Sequence, residues 1–308
     1  MNKCTLAKTI YTLLLLFLLL SACSKESERS LLDRAGTYLQ SDPDSTLCLL
    51  QQIHYPELLE GKDQADYWYL HATSRRNTGR SYVTDSLLRT SIDYYAATGD
   101  SSRLRDCYRL EAQRQEWLKQ TDPADSLYRA AIAACPQHEQ RHIPSLYDKL
   151  TRLHIDHINS KNYPKARQYA LMLLSVTDDP DWRMGAYYEL AVSYNFEGLC
   201  PDSAVYYTHK CLELVYQMPL ENRPFLLQNC ANMIGLDAGE ALRLSDEAIA
   251  IDPDGYDYSS TITKGYIYLS IGKPDSAMQC CLRAMEAYRQ EVVRSKEDHP
   301  TPHNALNT

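Results

Sequence analysis

The chain has 308 residues, of which 23% are charged, and a formal net charge of −8. An acidic chain without a Lys/Arg cluster is poorly suited to nucleic acid, whose binding rests on neutralising phosphates, so no nucleic-acid partner is expected. Its ten cysteines show no zinc-like two-residue spacing, and Cys280 and Cys281 are adjacent. Most sit among small or apolar neighbours, as Cys107, Cys211 and Cys230 do, and read as small core hydrophobes. Disulfides stay open outside the cytoplasm, and the spacing assigns no pairing.

Lys3 and Lys8 form a short positive start, and Ile10 to Leu20 is an apolar run broken only by Tyr11 and Thr12. As a helix that run reaches roughly 16 Å, against a hydrocarbon core of about 30 Å. It therefore reads as a signal peptide and not as a membrane span. Leu20-Ser21-Ala22-Cys23 resembles the bacterial lipobox. The resemblance implies cleavage after residue 22, a diacylglyceryl group on Cys23 and an acylated new amine. The lipid bilayer is then a partner, held by several chains where one would bind only marginally. Ser24 replaces the Asp of an inner-membrane retention signal, which points to the outer membrane. Lys25-Glu26-Ser27-Glu28 resembles the acidic tags that send some lipoproteins to the cell surface.

The next signal is a repeat. Asp-Ser pairs stand at 44, 85, 125, 202 and 275, and Pro164-Lys165 and Gly239-Glu240 fill the gaps, giving intervals of 41, 40, 39, 38, 37 and 36 residues. A period in this range indicates an array of helical hairpins. Pro43, Pro123, Pro201 and Pro274 precede the pairs, each suited to a first helical turn. Asp42 and Asp122 stand just before two of these prolines, as expected N-caps. First-turn Asp is favoured by the helix dipole by roughly 0.3–1 kcal/mol each. The pairs thus mark helix starts and not a repeated acidic site.

Hairpins are expected at about 26–53, 64–98, 102–135, 143–176, 182–216, 223–251 and 257–292. Few Gly-rich stretches and no strand alternation leave one continuous all-α fold. The domains are then a leader at 1–22, an α-solenoid at 23–292 and a disordered tail at 293–308, polar and carrying Pro300 and Pro302. Tyr is abundant (24) and Phe scarce (3); a ring with a polar tip suits a thin array with much surface.

In the last hairpin Gly265, Tyr268, Gly272, Ala277 and Ala284 resemble the tetratricopeptide (TPR) pattern of two antiparallel helices. Gly265 and Ala277 would sit where the helices approach most closely, and Gly272 at the turn can take positive φ. Ala241, Ala248 and Pro253 recur in the hairpin before, with Pro253 ending its second helix. Ala191, Tyr194, Gly198 and Ala204 match with one residue inserted. The hairpin near His154, His157 and Ala166 matches poorly in its first helix.

The fold class is therefore all-α, an α-solenoid of about seven TPR-like helical hairpins. Ser41-Asp42-Pro43-Asp44-Ser45, Thr84-Asp85-Ser86-Leu87 with Tyr94-Tyr95, and Pro201-Asp202-Ser203-Ala204 also resemble a group of bacterial TPR lipoproteins. In longer members a membrane helix, a coiled coil and a DNA-binding helix-turn-helix follow the repeats. The resemblance implies a sensory or regulatory role in the envelope. Starch-utilisation lipoproteins also carry TPR helices, which gives carbohydrate binding as an alternative, although they add a large non-repeat region.

His138-Glu139-Gln140-Arg141-His142 spells the His-Glu-x-x-His of zinc proteases. That chemistry needs both His on one helix face, the Glu as base and a third ligand. Pro136 and Pro144 cramp a helix centred here, and the segment falls between two hairpins. His154 and His157, three apart, lack a further ligand, since Asp156 points elsewhere on the helix. No catalytic residue, metal or cofactor is expected, and a zinc-dependent hydrolase is the least favoured alternative.

Stacked hairpins curve, and their first helices line a groove. The groove candidates are Asn159 in the fourth hairpin, Tyr188, Asn195 and Phe196 in the fifth, and Tyr266 and Ser270 in the seventh. Rigid aromatics make good anchors for a protein or peptide partner. The Lys/Asn carboxylate clamp of chaperone-binding TPR domains is absent here, so recognition of a C-terminal carboxylate is not expected.

Overall fold

The computed structural model describes residues 28–79, 85–155, 161–233 and 235–298. The leader, Cys23, Asp156, His157 and Asn159 lie outside these residues. Among the described residues there are fourteen α-helices and no strand. Helix α1 covers 28–38. It is followed by α2 (Pro43–Leu50), α3 (Gly61–Asn77), α4 (Asp85–Thr98), α5 (Ser101–Trp117), α6 (Thr121–Ala134) and α7 (Ile143–Ile155). Then come α8 (Tyr163–Val176), α9 (Pro180–Glu197), α10 (Pro201–Val215), α11 (Pro224–Ala231), α12 (Ala238–Ile251), α13 (Pro253–Ser270) and α14 (Pro274–Asp298).

Each odd-numbered helix pairs with the one after it, giving the seven hairpins that the interval series marks. The chain divides into two compact units, Met1–Leu146 and Tyr147–Thr308, with the division just after the first turn of α7. Three hairpins fall in the first unit and four in the second, apart from the first turn of α7.

The punctuation acts as cap chemistry requires. The Asp42 carboxylate accepts the Ser45 N–H at 3.0 Å, and Pro43 opens α2. Asn162 serves α8 in the same way at 3.3 Å, and Asp237 serves α12 through Gly239 N–H at 2.9 Å. Asp44, Asp202 and Asp275 lie in the first turns of α2, α10 and α14. Hairpin three departs from the expectation. Helix α6 already begins at Thr121, Gln120 is its N-cap without a side-chain bond, and Asp122 is inside the first turn. Asp125 is therefore one turn deeper and buried, with Arg129 Nε donating to it at 2.9 Å.

A second correction concerns the last helix. Helix α14 runs on to Asp298, so residues 293–298, expected in a disordered tail, are helical. Its sequence there, Val-Arg-Ser-Lys-Glu-Asp, holds no Gly or Pro to stop a helix; Pro300 comes only afterwards.

Several of the turns inside the hairpins use one left-handed residue. Gly198 (φ 70°) and Gly272 (φ 72°) supply it without cost in their hairpins. In hairpins three and four the same place is taken by Lys119 (φ 62°) and Lys161 (φ 48°), where a Cβ is crowded against its own backbone.

In the first unit the core is a run of buried Leu, Ala and Tyr, including Leu50, Leu70, Tyr95 and Leu110. A polar strap crosses it. Tyr95 OH donates to Asp66 at 2.6 Å, Arg29 Nη1 donates to Asp63 at 2.7 Å and to Asp66 at 3.3 Å, and Lys62 donates to Asp66. Burial pushes the Asp66 carboxyl up, but the bonds from Lys62 and Tyr95 outweigh it and hold it below its ordinary value. Tyr69, under the Arg103 guanidinium at 4.3 Å, is pushed up to about 12 by burial.

In the second unit Cys211, Leu212, Val215, Leu227, Cys230, Leu244 and Ala248 form one buried cluster. Cys211 and Cys230 are hydrogen-bonded thiols within it, and that bond, with burial, raises the Cys211 thiol. A second aromatic layer joins α9 and α10. The Tyr207 ring stacks on Tyr194 at 5.8 Å, and Arg167 caps Tyr194 at 4.4 Å. The abundance of Tyr is explained here: rings fill thin layers while hydroxyls and cations meet at the edges.

Candidate binding surfaces

Among the described residues, a cleft opens in each unit. In the second unit a cleft of about 330 Å³ opens where the end of α11, the turn after it and the start of α12 face α13. Its apolar wall includes Ala231, Met233, Leu236 and Ile267, and its polar wall Asn232, Thr263, Tyr266 and Ser270. Gln228 Nε2 approaches Thr263 Oγ1 at 3.4 Å from α11. Among the described residues that line it, none is charged. Tyr266 is 68% exposed, so its ring stands at the mouth. The Ser270 hydroxyl donates back to Ile267 O at 2.7 Å, which leaves its oxygen lone pairs for an incoming donor.

The cleft unites two of the six groove candidates, Tyr266 and Ser270. Tyr188 and Phe196 are eight residues apart, which on an α-helix turns them roughly 80° from one another. Phe196 is accordingly 53% exposed, whereas Tyr188 is half-buried against two buried clusters of this unit. Burial raises the Tyr188 hydroxyl above its usual range. Tyr188 therefore packs hairpin five on hairpin six. Asn195 is half-buried beside Phe196.

Sequence reasoning missed most of this cleft. Its walls come largely from the α11–α12 turn and from the sides of small residues, which carry no signal of their own. The one legible trace was the position of Tyr266 and Ser270 four apart on a first helix.

In the first unit a cleft of about 440 Å³ lies between α4, α5 and α6. Arg89, Asp93, Tyr108, Glu111 and Gln115 line it with Ile92, Ala96 and Leu127. Its charges already answer one another. Arg89 pairs with Asp93 at 3.5 Å, and Glu111 accepts from Arg114 and Gln115, each at 2.7 Å. Burial raises the Glu111 carboxyl, and the Gln115 bond lowers it in part.

The His-Glu-x-x-His segment lies between α6 and α7, as expected. It forms a 3-10 stretch, Gln137–His142, broken at Glu139 with φ −115°. Glu139 accepts from Ser102 at 2.9 Å and is clamped by Arg105, and these bonds hold its carboxyl below its usual value. Burial and the neighbouring Arg105 and Arg141 lower the His142 imidazole. A carboxylate tied to Ser102 and to the Arg105 guanidinium suits a structural clasp between α5 and this stretch. Among the described residues no three His, Cys, Asp or Glu converge to hold a metal. Nor, among them, is any helix long and apolar enough to cross a membrane.

No family model matches the chain, and no curated protein matches it. Solved structures do. BtubC (BKLC) from P. vanneervenii is 17% identical, and the match covers 71% of this chain and 95% of BtubC with a TM-score of 0.52. The fold is a TPR-like α-solenoid. The APC/C hetero-tetramer Cut9–Hcn1 is 15% identical over 85% of this chain and 46% of that one, with a TM-score of 0.48. A Rap protein complexed with competence and sporulation factor is 16% identical over 85% of this chain and 76% of that one, with a TM-score of 0.47. At such identities the likeness concerns the fold. For a TPR-like array the surfaces between and beside the hairpins are the places where chemistry can reside.

Proposed function

We propose that this protein is a lipid-anchored TPR-like scaffold that holds an uncharged, extended segment of a protein partner at the bacterial envelope. The observation that carries the reading is the cleft between α11, α12 and α13. It offers an apolar floor, an exposed aromatic ring and neutral hydrogen-bonding groups within one peptide-sized space. A backbone stretch supplies donors and acceptors for Asn232, Thr263 and Ser270, and a small apolar side chain fills the floor beside Tyr266. Charged segments are disfavoured, because nothing in the lining would pair with a desolvated charge.

The lipobox-like Leu20-Ser21-Ala22-Cys23 supports the anchor. An acylated Cys23 would tether the scaffold to the membrane, on the outer-membrane side that Ser24 favours. A sensory or regulatory role follows from the resemblance to envelope TPR lipoproteins.

Two measurements test the reading. Metabolic labelling with an alkyne fatty acid should mark the wild-type chain and fail on Cys23→Ser; labelling that persists in Cys23→Ser refutes the anchor. A photo-crosslinker placed at Tyr266 should yield a discrete adduct from detergent-solubilised envelopes, lost on Ile267→Glu. An unchanged adduct pattern in Ile267→Glu, or calorimetric binding of a neutral glycan that protects Tyr266 instead, overturns the protein-partner reading.

A further inference from the structure

The second unit brings two thiols together in its core. Cys211 of α10 and Cys230 of α11 are each 0% exposed, belong to one buried cluster and share a hydrogen bond. One stands in hairpin five and the other in hairpin six, so the contact crosses a hairpin interface. Leu212, Val215, Leu227 and Leu244 share the cluster, and Tyr188 of α9 packs against it. The pair belongs to no group of three metal-binding side chains among the described residues.

Packing alone does not call for sulfur here. Cys211 stands nine residues after Asp202, and Ala248 and Ala284 stand nine after Gly239 and Asp275. Those alanines are 0% and 3% exposed, so the array fills the same buried place with a methyl group elsewhere. The partner thiol lies on α11, a helix of only eight residues. So short a helix is held by what it packs against and not by its own hydrogen bonds.

We propose that Cys211 and Cys230 form a disulfide that staples hairpin five to hairpin six. The inference rests on the envelope location proposed above, since such bonds persist in oxidising compartments and are rare in the cytoplasm. Sulfurs already in hydrogen-bond contact need only a small side-chain rotation to reach the bonded separation of about 2 Å. The oxidant is a second disulfide, carried by a small molecule or by a thiol oxidoreductase. One cysteine thiolate attacks it, forming a mixed disulfide and releasing one thiol. The other cysteine thiolate attacks the cysteine sulfur of the mixed bond, which closes the Cys211–Cys230 bond and releases the second thiol. The two cysteine protons end on the two released thiols. In the packed chain the bond from Cys230, with burial, raises the Cys211 thiol, so thiolate is scarce there. The disulfide therefore forms as the chain folds, and the packed cluster then shields it. It closes a loop of about twenty residues, which restricts the unfolded chain.

Mass spectrometry of chain recovered from envelopes, alkylated in denaturant without reductant and then digested, tests this. One linked pair of peptides should carry Cys211 and Cys230, while Cys107 carries the alkyl label. The Cys23→Ser chain refolded with oxidised glutathione should melt about 5–10 °C higher than the same chain refolded with reductant. Cys211→Ala, which places there the residue used in α12 and α14, should melt near the lower temperature under both conditions. Alkyl label on both Cys211 and Cys230 of the envelope chain overturns the proposal; where Cys23 of that chain carries the fatty-acid label, the anchor stands without it. A melting temperature indifferent to reductant also overturns it, since two thiols acting only as small apolar groups would behave in that way.

Discussion

Glu189 is 7% exposed on α9, with Arg152 Nε at 3.4 Å; the same nitrogen lies 3.1 Å from Asp148. Burial is the larger influence, Arg152 counters it and Asp148 adds to it, so the carboxyl is pushed up to about 7. The sign follows from proton counting. Between the ordinary value of 4.5 and about 7 the folded chain holds a proton that the unfolded chain has released, so stability falls as pH rises through that window. The loss approaches about 3 kcal/mol. Urea midpoints at about pH 5 and about pH 8 should show it, and Glu189→Gln should flatten the difference. Asp66 acts in the opposite sense, because its value is lowered: its contribution is present at neutral pH and disappears in acid, below the range of Glu189. Two lysines give a second prediction at this scale. Lys119 and Lys161 hold left-handed φ in turns where other hairpins use glycine. Lys119→Gly should raise the unfolding free energy by up to about 1 kcal/mol, read by thermal or urea denaturation, as relief of crowding exceeds the extra chain entropy.

At the scale of elements, the seventh hairpin shows how small residues set helix separation. A Cβ added to Gly265 would lie 3.5 Å from the Cys280 Cβ and 3.7 Å from the Ala277 carbonyl oxygen, ordinary contact with no room beyond it. Gly265→Ala should therefore be neutral or stabilising by up to about 1 kcal/mol through helix propensity. Gly265→Leu should cost about 1–3 kcal/mol by prising α13 from α14. A urea series on the three chains reads both. The close approach was legible in the sequence because a Gly and an Ala twelve residues apart, flanking Gly272, leave few other arrangements. The shift of α6 to Thr121 was not. Its Asp-Pro-Ala-Asp-Ser resembles the Asp-Pro-Asp-Ser start of α2, and only the α5–α6 turn at Lys119 decided which Asp would cap. Burial of Asp125 is a result of that choice.

The molecule as a whole divides into two compact units, as repeat arrays do when each hairpin is stabilised by its neighbours. Damage should then stay local. Leu244 is 0% exposed in the second unit, and Leu244→Ala should cost about 2–5 kcal/mol there. Hydrogen exchange followed by mass spectrometry should rise across α10 to α13 and stay unchanged across α1 to α4. Uniform acceleration along the chain would show instead that the units unfold as one.

The sequence alone determined the helical class, the number of hairpins, their bounds to within a few residues and the meaning of the Asp-Ser pairs. These are local matters, governed by caps, prolines and the period of apolar residues. It also carried the lipobox-like stretch, which is read from neighbouring residues. Tertiary structure decided which candidates share a surface. Tyr188 and Phe196 look alike along the chain, yet one fills a hairpin interface and the other meets solvent, because side-chain direction depends on what stacks against the helix. It likewise decided that Tyr266 and Ser270 share a cleft with a turn lacking any motif, and that Met285 of α14 is exposed where its counterpart on α10, Leu212, is buried. Burial is a property of neighbours in space, and the order of residues does not list them.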